Sequence, residues 1–127
     1  MPAPVNLLLS ELTEELIGIG INIHKILGPG FLEIVYKDAF EYELQEEEIL
    51  YQREKPFLIP YKNIILPRKF HTDFWVYDKI ILEIKAKKGF ADEDVSQVLN
   101  YLKCSGCKVG LILNFGESKL AIKRLVL

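Results

Sequence analysis

Apolar residues recur with the period of an α-helix near the start of the chain. Leucine or isoleucine occurs every three or four residues at Leu12, Leu16, Ile19, Ile23 and Ile26. This spacing predicts an amphipathic helix over residues 11–27, with Ser10 as its N-cap. The sequence GPG at 28–30 predicts the end of that helix, because glycine and proline rarely continue one. A second helix with an acidic exposed face is predicted over residues 31–47.

The hydrophobic pattern changes to that of β-structure after the second helix. Residues 49–76 are rich in β-branched and aromatic side chains broken by three prolines, which predicts extended edge segments with turns. Within and beyond them, KFHTDFWV–YDK–IILEIKA (69–86) predicts a β-hairpin. Helical spacing returns over residues 92–106. The continuous apolar run at 108–115 predicts a buried strand, and a final strand is predicted over residues 119–127.

The predicted order of elements is two helices, several strands, one helix and two strands. That order is typical of an α/β or α+β fold in which a mixed β-sheet is flanked by helices. A chain of 127 residues can bury one core and is too short to add a separate recognition domain. We therefore expect an N-terminal extension over residues 1–10 and a single domain over residues 11–127.

Composition and charge narrow the class of protein. No apolar run approaches the roughly 20 residues that cross a bilayer, and the N-terminus lacks the basic region of a signal peptide, so we expect no membrane association and a cytoplasmic location. The net charge of −2 gives no global sign of nucleic-acid binding. Residues 67–88 nevertheless hold six basic and three acidic residues, which indicates either a local basic rim or ordinary solvated lysines.

The predicted hairpin sets acidic side chains against each other. If it folds symmetrically about Asp78, Asp73 lies directly opposite Glu83, an arrangement that needs a raised pKa, a cationic neighbour or a divalent cation. Lys85 lies two residues after Glu83 and projects from the same face. Two carboxylates and a backbone carbonyl such as that of Ile84 suit Mg²⁺ or Mn²⁺. The alternative is an exposed strand face on which Glu83 and Lys85 are simply solvated.

Two pairs of polar residues on the predicted helices extend this pattern. Glu33 and Tyr36 share one helix face, with Glu33 in the first turn, where the helix dipole favours the ionised carboxylate. Gln97 and Tyr101 are four residues apart and offset from the apolar stripe of their helix. Each pair fits the edge of an active site, or else a helix surface with a packing tyrosine.

The sequence LGPGFLEIVYKDAFEYEL resembles the signature of the GxxExxY proteins, a group within the PD-(D/E)xK nuclease superfamily. The resemblance continues through FHTDFWVYDKIILEIKA, QVLNYLKCSGCKVGLILNFG and LAIKRLVL, and covers nearly the whole chain from residue 11. It implies a restriction-endonuclease-like core with a mixed sheet between helices. The superfamily's metal-binding aspartate and its (D/E)xK element are matched by Asp73, Glu83 and Lys85. The Q-x-x-x-Y element of the exonuclease-like, RecB-type branch is matched by Gln97 and Tyr101.

The resemblance also assigns roles. Glu33 matches a helical glutamate that the RecB-type branch uses near its metal, so the implied metal ligands are Asp73, Glu83, the Ile84 carbonyl and Glu33. Lys85 would activate or position the attacking water.

Further along the chain, Gln97 would orient the phosphate and Tyr101 would support it. The function predicted from the residues and the resemblance together is that of a nuclease that uses Mg²⁺ or Mn²⁺ to hydrolyse phosphodiester bonds of DNA.

Two other functions remain open at the level of sequence. The chain could be a non-catalytic module with a nuclease fold that binds nucleic acid or a partner protein, or it could be a purely structural domain. The acidic net charge and the lack of a recognition domain favour the non-catalytic module, or else a homodimer or partner protein that supplies the missing contacts. The presence of every polar site residue favours the enzyme, because a decayed site usually loses its lysine or an acid.

Overall fold

Two helices lead the chain into a five-stranded sheet. The computed structural model describes the backbone of residues 5–127 and the side chains of residues 9–127. The elements in that range are α1 (Val5–Leu27), α2 (Glu33–Glu46), β1 (Tyr51–Tyr61), β2 (Ile64–Val76), β3 (Ile80–Lys85), α3 (Asp92–Ser105), β4 (Val109–Asn114) and β5 (Ala121–Val126). The predicted fold class, a mixed sheet flanked by helices, is confirmed. None of the helices within residues 5–127 is long and apolar enough to cross a membrane.

The strands lie in the order β1-β2-β3-β4-β5. All neighbouring pairs are antiparallel except β3 and β4, which run parallel because α3 carries the chain back between them. One face of the sheet packs against α1 and α2, and the other packs against α3. The protein is therefore a three-layer sandwich, and the strand ends between the layers are where polar side chains can meet.

Side chains of β3 alternate between the two cores. Leu82 and Ile84 face α1 and α2, whereas Ile81 faces α3, and all three are fully buried. Burial of each such side chain contributes about 1.5–3 kcal/mol. Every residue of β4 is also buried, which confirms the buried strand predicted from the apolar run. The α3 layer lies close to the sheet at Gly110, where a Cβ atom would come within 2.5 Å of Val98.

Helix α1 begins earlier than the sequence pattern predicts. The predicted start at residue 11 is wrong, because α1 begins at Val5 and Ser10 lies inside it instead of capping it. The reason is that Leu9, 2% exposed, extends the buried stripe by another turn and packs in the core on the α2 side. Residues 1–4 of the predicted N-terminal extension lie outside the described residues. Helix α2 begins at Glu33, two residues later than predicted, because the backbone of Leu32 is extended.

Strands β1 and β2 form a long hairpin whose two halves pack against different layers. Before Glu54, the odd-numbered residues of β1 face α2, and Arg53 bonds acidic residues of that helix. After Glu54 they face the α3 side, where Phe57 contacts Trp75. Glu54 has a left-handed backbone conformation (φ 54°), so the strand turns over at this residue. We name the outer part of the hairpin, residues 55–72, the hairpin arm.

The hairpin of β2 and β3 has the predicted symmetric register. Val76, Trp75 and Phe74 pair with Ile80, Ile81 and Leu82, which places the centre of the hairpin at Asp78. The turn is tight: Tyr77 and Asp78 both have positive φ, as in type I′ turns, and the Lys79 N–H bonds the Val76 carbonyl. Pairing stops after the third step, because β2 leaves β3 there to follow β1.

Candidate active site

Two carboxylates lie in the gap where β2 separates from β3. Asp73 is the first residue of β2 beyond the paired steps, and Glu83 is its counterpart on β3. Both are buried, at 7% and 4% exposure. The Ile84 N–H donates a hydrogen bond of 2.8 Å to Asp73 Oδ2, which fixes that carboxylate against β3. Asp73 is close enough to Glu83 for its charge to raise the pKa of that carboxyl group, so the two side chains lie together and not on opposite faces of the sheet.

Glu83 is the less well compensated member of the pair. Its Oε1 atom is buried and has no hydrogen-bond partner among the described residues. Burial, followed by the negative charge of Asp73, raises the pKa of Glu83 well above its ordinary value, and Lys85 offsets this in part. A buried carboxylate with an unused oxygen lowers its free energy when it gains a cation, so this position can bind one.

A lysine absent from the predicted site occupies its centre. Lys37, one turn after Glu33 on α2, places its Nζ atom 2.8 Å from Asp73 and 3.2 Å from Glu33. Glu54, at 3.9 Å, lies on the other side of the same ammonium group. Burial lowers the pKa of Lys37, but the hydrogen bonds and charges of Asp73 and then Glu33 raise it above the ordinary lysine value. The ammonium form therefore neutralises these acids.

Lys85 lies between Glu83 and another buried acid, Asp94. Its Nζ atom is 4.0 Å from Asp94 Oδ1, and it is close enough to Glu83 to affect the pKa of that carboxyl group. Lys87 also pairs with Asp94, at 2.7 Å, and the Ala91 N–H donates to the same carboxylate. Burial raises the pKa of Asp94, but Lys87, Ala91 and Lys85 together lower it below the ordinary value. Asp94 thus fixes the first turn of α3 beside the (D/E)xK strand.

The α3 residues of the predicted site differ in how closely they approach the carboxylates. Burial, then the charges of Glu83 and Asp73, raises the pKa of Tyr101 to about 12, so its hydroxyl stays protonated beside them. Gln97 is exposed and lines a pocket of about 520 Å³ together with Tyr101. No hydrogen bond within the described part of the chain joins Gln97 to either carboxylate. Its amide is free to bind a ligand in that pocket.

Tyr36 stabilises the loop before α2 and does not line the site. It is fully buried and stacks on Phe115 at a centroid distance of 4.5 Å. Its hydroxyl donates a hydrogen bond of 2.5 Å to the Gly28 carbonyl and accepts one of 3.2 Å from the Phe31 N–H. These bonds connect the end of α1 to the start of α2, and so they set the position of Glu33.

The residues present fit a hard divalent cation at Asp73 and Glu83. In a strand, the N–H and C=O of one residue point toward the same neighbour, so the Ile84 carbonyl faces the gap that its N–H shares with Asp73. Two carboxylates and a carbonyl form a set of oxygen ligands that Mg²⁺ and Mn²⁺ accept. Within residues 9–127, however, no three acidic, histidine or cysteine side chains lie close enough together to hold a metal ion. Glu33 is separated from the pair by Lys37.

Comparison with known proteins identifies the family. The model of the PD-(D/E)XK nuclease superfamily matches residues 10–125. The chain belongs to the PD-(D/E)XK nuclease superfamily. The narrower assignment to the GxxExxY group stays a prediction. No curated protein matches the chain in sequence.

Two solved structures of other proteins are similar to this superfamily member. SSO0001 has a TM-score of 0.60 at 18% identity, over 72% of this chain and 48% of its own. An alkaline exonuclease from Laribacter hongkongensis (LHK-Exo) has a TM-score of 0.49 at 14% identity, over 68% of this chain and 51% of its own. The chain thus spans about half the length of these two proteins. The likeness to SSO0001 shows the fold alone.

Sequence reasoning missed three residues that shape this candidate site. Lys37 follows Glu33 at i+4, a spacing that signals an ion pair on a helix. Asp94 stands in the first turn of α3 within an acidic run, a common position for capping residues. Asn114 has no sequence signal: its buried side chain accepts from the Lys87 N–H and donates to the Gly89 carbonyl, which holds the loop after β3.

Proposed function

We propose that this chain is a nuclease that uses Mg²⁺ or Mn²⁺ to hydrolyse phosphodiester bonds of DNA. The observation that carries the proposal is the buried pair Asp73 and Glu83, in which Glu83 keeps an oxygen without a partner. Like charges in contact, shielded from water, are destabilising unless a cation joins them. Membership in a nuclease superfamily supports the same function.

Each residue of the proposed site is given a role in metal binding or hydrolysis. Asp73 and Glu83 would bind the cation together with the Ile84 carbonyl, and Glu33 would assist through a water molecule. When bound, the cation would polarise the scissile phosphate and lower the pKa of an attacking water. Lys85 would hold that water or a phosphate oxygen, because its ammonium group lies beside Glu83.

Two residues of α3 complete the proposed site. Gln97 would donate a hydrogen bond from its exposed amide to a phosphate oxygen. Tyr101, which stays protonated beside the carboxylates, would support the substrate next to the hairpin arm. Both residues line the same pocket, which has room for part of a DNA strand.

Hydrolysis assays with a panel of substrates test the proposal. We expect the purified chain with Mn²⁺ to cleave labelled single- or double-stranded DNA. Lys85→Ala is expected to lower the rate by about 10²–10⁴, the usual contribution of a group that handles the proton of the attacking water. The matched control is Lys88→Ala, which removes an exposed lysine three residues away.

Metal binding and circular dichroism complete that experiment. Calorimetry is expected to show Mn²⁺ binding that is lost in Asp73→Asn, while the Lys85→Ala spectrum keeps the wild-type fold. No cleavage of any DNA or RNA substrate, combined with no heat of metal binding, would refute the enzymatic proposal.

A non-catalytic nuclease-fold module is the second candidate. The observation in its favour is the ion pair of Lys37 with Asp73, which already supplies a positive charge to one proposed ligand. This candidate predicts that nucleic acid binds without cleavage at any metal concentration. The same substrate panel therefore separates the two functions.

A further inference from the structure

The hairpin arm has a charge opposite to that of the rest of the chain. Its 18 residues (55–72) contain Lys55, Lys62, Arg68 and Lys69 and no acidic residue. The remainder of the chain holds the other 12 of the 16 basic residues and all 18 acidic ones. Lys62, Arg68 and Lys69 are exposed. The arm is thus a positive projection on an acidic protein, and its charge complements a polyanion.

Exposed apolar side chains lie among these basic residues. About half of each side chain is exposed at Leu58, Tyr61, Ile64 and Ile65. The Lys62 ammonium lies 5.5 Å from the ring centre of Tyr61, so a charge and an aromatic surface are presented together. Aromatic and apolar side chains next to lysine and arginine are the surfaces on which unpaired bases stack while phosphates bind the cations.

The arm leads directly to the proposed active site. Phe70, on the arm, stacks on Tyr101 of α3 with ring centres 4.1 Å apart and nearly parallel planes. A pocket of about 400 Å³ lies between the arm and α3, and it shares Asn100 and Tyr101 with the pocket that Gln97 lines. Asp73 follows the arm immediately in β2. A DNA strand lying on the arm would therefore run toward Asp73 along the pocket beside Tyr101.

We propose that the hairpin arm binds a single-stranded segment of DNA and guides it toward Tyr101 and Asp73. Lys62, Arg68 and Lys69 bind phosphates, and Tyr61 with its apolar neighbours contacts bases. A fully paired duplex offers phosphates but no base faces, so the mixture of charge and apolar surface favours unpaired DNA. The identity of the ligand as DNA rests on the proposed function, whereas the location of its binding surface rests on the arm.

Binding without hydrolysis provides the test. A fluorescently labelled single-stranded DNA 20-mer is titrated with the full chain in EDTA, and anisotropy is measured at several NaCl concentrations. The triple variant Lys62→Gln, Arg68→Gln, Lys69→Gln is expected to bind at least about tenfold more weakly at 50 mM NaCl. The slope of log K against log salt is negative and should become less steep by about 2, since each phosphate contact on a single strand contributes about −0.7.

A matched variant separates this effect from a change of net charge. Lys25→Gln, Lys108→Gln, Lys119→Gln removes the same charge from exposed positions outside the arm, and it is expected to bind within twofold of the wild type. Tyr61→Ala is expected to weaken binding about fivefold or more through lost base stacking, with little change in salt slope. All these side chains are exposed, so the thermal melts should match that of the wild type.

Several outcomes would overturn the proposal. Equal losses in the two triple variants would mean that net charge, and not the arm, binds DNA. Tighter binding of a blunt duplex or of an RNA 20-mer would reject unpaired DNA as the ligand. Sedimentation showing a dimer that the arm substitutions dissociate would make the arm a contact between copies of the chain.

The binding and cleavage assays distinguish a failure of the arm proposal from a failure of the nuclease proposal. Binding that depends on the arm in a protein that never cleaves DNA would refute the nuclease activity but leave the arm's role intact. Cleavage of DNA by the chain, together with unaltered DNA binding by the arm triple variant, would refute the arm's role but leave the nuclease activity intact.

Discussion

Replacing Lys37 with methionine removes the positive charge at the centre of the acidic site. Among the described residues, Lys37 is the only basic side chain within 4.0 Å of Asp73. Both side chains are largely buried, at 13% and 10% exposure. Removal of one partner from a buried ion pair costs about 3–5 kcal/mol, because the other charge is left without compensation. Methionine keeps most of the volume, so the packing loss is small.

The expected destabilisation in the absence of metal is therefore about 3 kcal/mol, at the lower end because some water reaches the pair. For a domain of this size that loss corresponds to a fall in Tm of roughly 10 °C. A divalent cation restores the missing charge. At 100 times its Kd, a ligand that binds only the folded state stabilises it by about 2.7 kcal/mol. We thus expect Mg²⁺ to return the variant close to wild-type stability.

Metal affinity should change in the opposite direction to stability. In the wild type, a cation at Asp73 competes with the Lys37 ammonium group for the same carboxylate. Two unit charges about 4 Å apart near a protein surface interact by about 4 kcal/mol. Removal of about 1.4 kcal/mol of repulsion between the ammonium group and the metal ion is sufficient to lower the metal dissociation constant tenfold. The methionine variant is therefore expected to bind Mg²⁺ at least about tenfold more tightly.

Urea unfolding followed by fluorescence of the single tryptophan, Trp75, measures these effects in EDTA and in Mg²⁺. Lys37→Arg, which keeps the charge, and Lys88→Met, which removes an exposed one, are the controls. The reasoning is refuted if Lys37→Met loses less than about 0.5 kcal/mol in EDTA, the range of ordinary surface substitutions. Equal gains from Mg²⁺ in wild type and variant would refute the competition.

The remaining predictions concern the supports of the site. Tyr36→Phe removes two hydrogen bonds and is expected to cost about 1–3 kcal/mol in urea unfolding, whereas Tyr42→Phe on the exposed face of α2 should be neutral. The lowered pKa of Asp94 in the folded state means that its carboxylate contributes stability above pH 3.8, so Asp94→Asn should lower the free energy of unfolding by about 2 kcal/mol at pH 7. This difference from the wild type should shrink as the pH falls from 3.8 toward the lowered pKa. A constant difference down to pH 3 would contradict this. Gly116→Ala places a Cβ in steric conflict with the Lys87 backbone, which must shift, so the melting temperature should fall in thermal melts; an unchanged melting temperature would contradict this.

Much of the fold follows from local periodicity. The helical stripes and the apolar run of β4 depend on residues close in sequence, so pattern reading located them within a few residues. The opposition of Asp73 and Glu83 follows from counting outward from the turn at Asp78, because a tight turn fixes the register of a short hairpin. Counting from the turn therefore predicted the opposition of the two carboxylates, but not the lysine between Asp73 and Glu33.

The remaining features depend on contacts between distant parts of the chain. Helical spacing places Glu33 and Lys37 side by side, but it cannot show that α2 carries them to Asp73. The left-handed conformation of Glu54 cannot be predicted from the sequence either, since glutamate has no preference for it. Asp94 looks like any acid at a helix start until its two lysine partners are placed. Tertiary packing, not local preference, decides all three.

The backbone reversal at Glu54 marks where the hairpin arm joins the rest of the sheet. Glu54 lies in register with Asp73, between the paired steps Arg53–Phe74 and Lys55–Thr72. The hairpin arm is anchored to α3, and the base of the hairpin is anchored to α2. Along the hairpin itself, the arm is connected to the body of the sheet through the rung that holds Asp73. The point at which the arm joins the sheet therefore lies at Asp73, one of the two carboxylates of the proposed site.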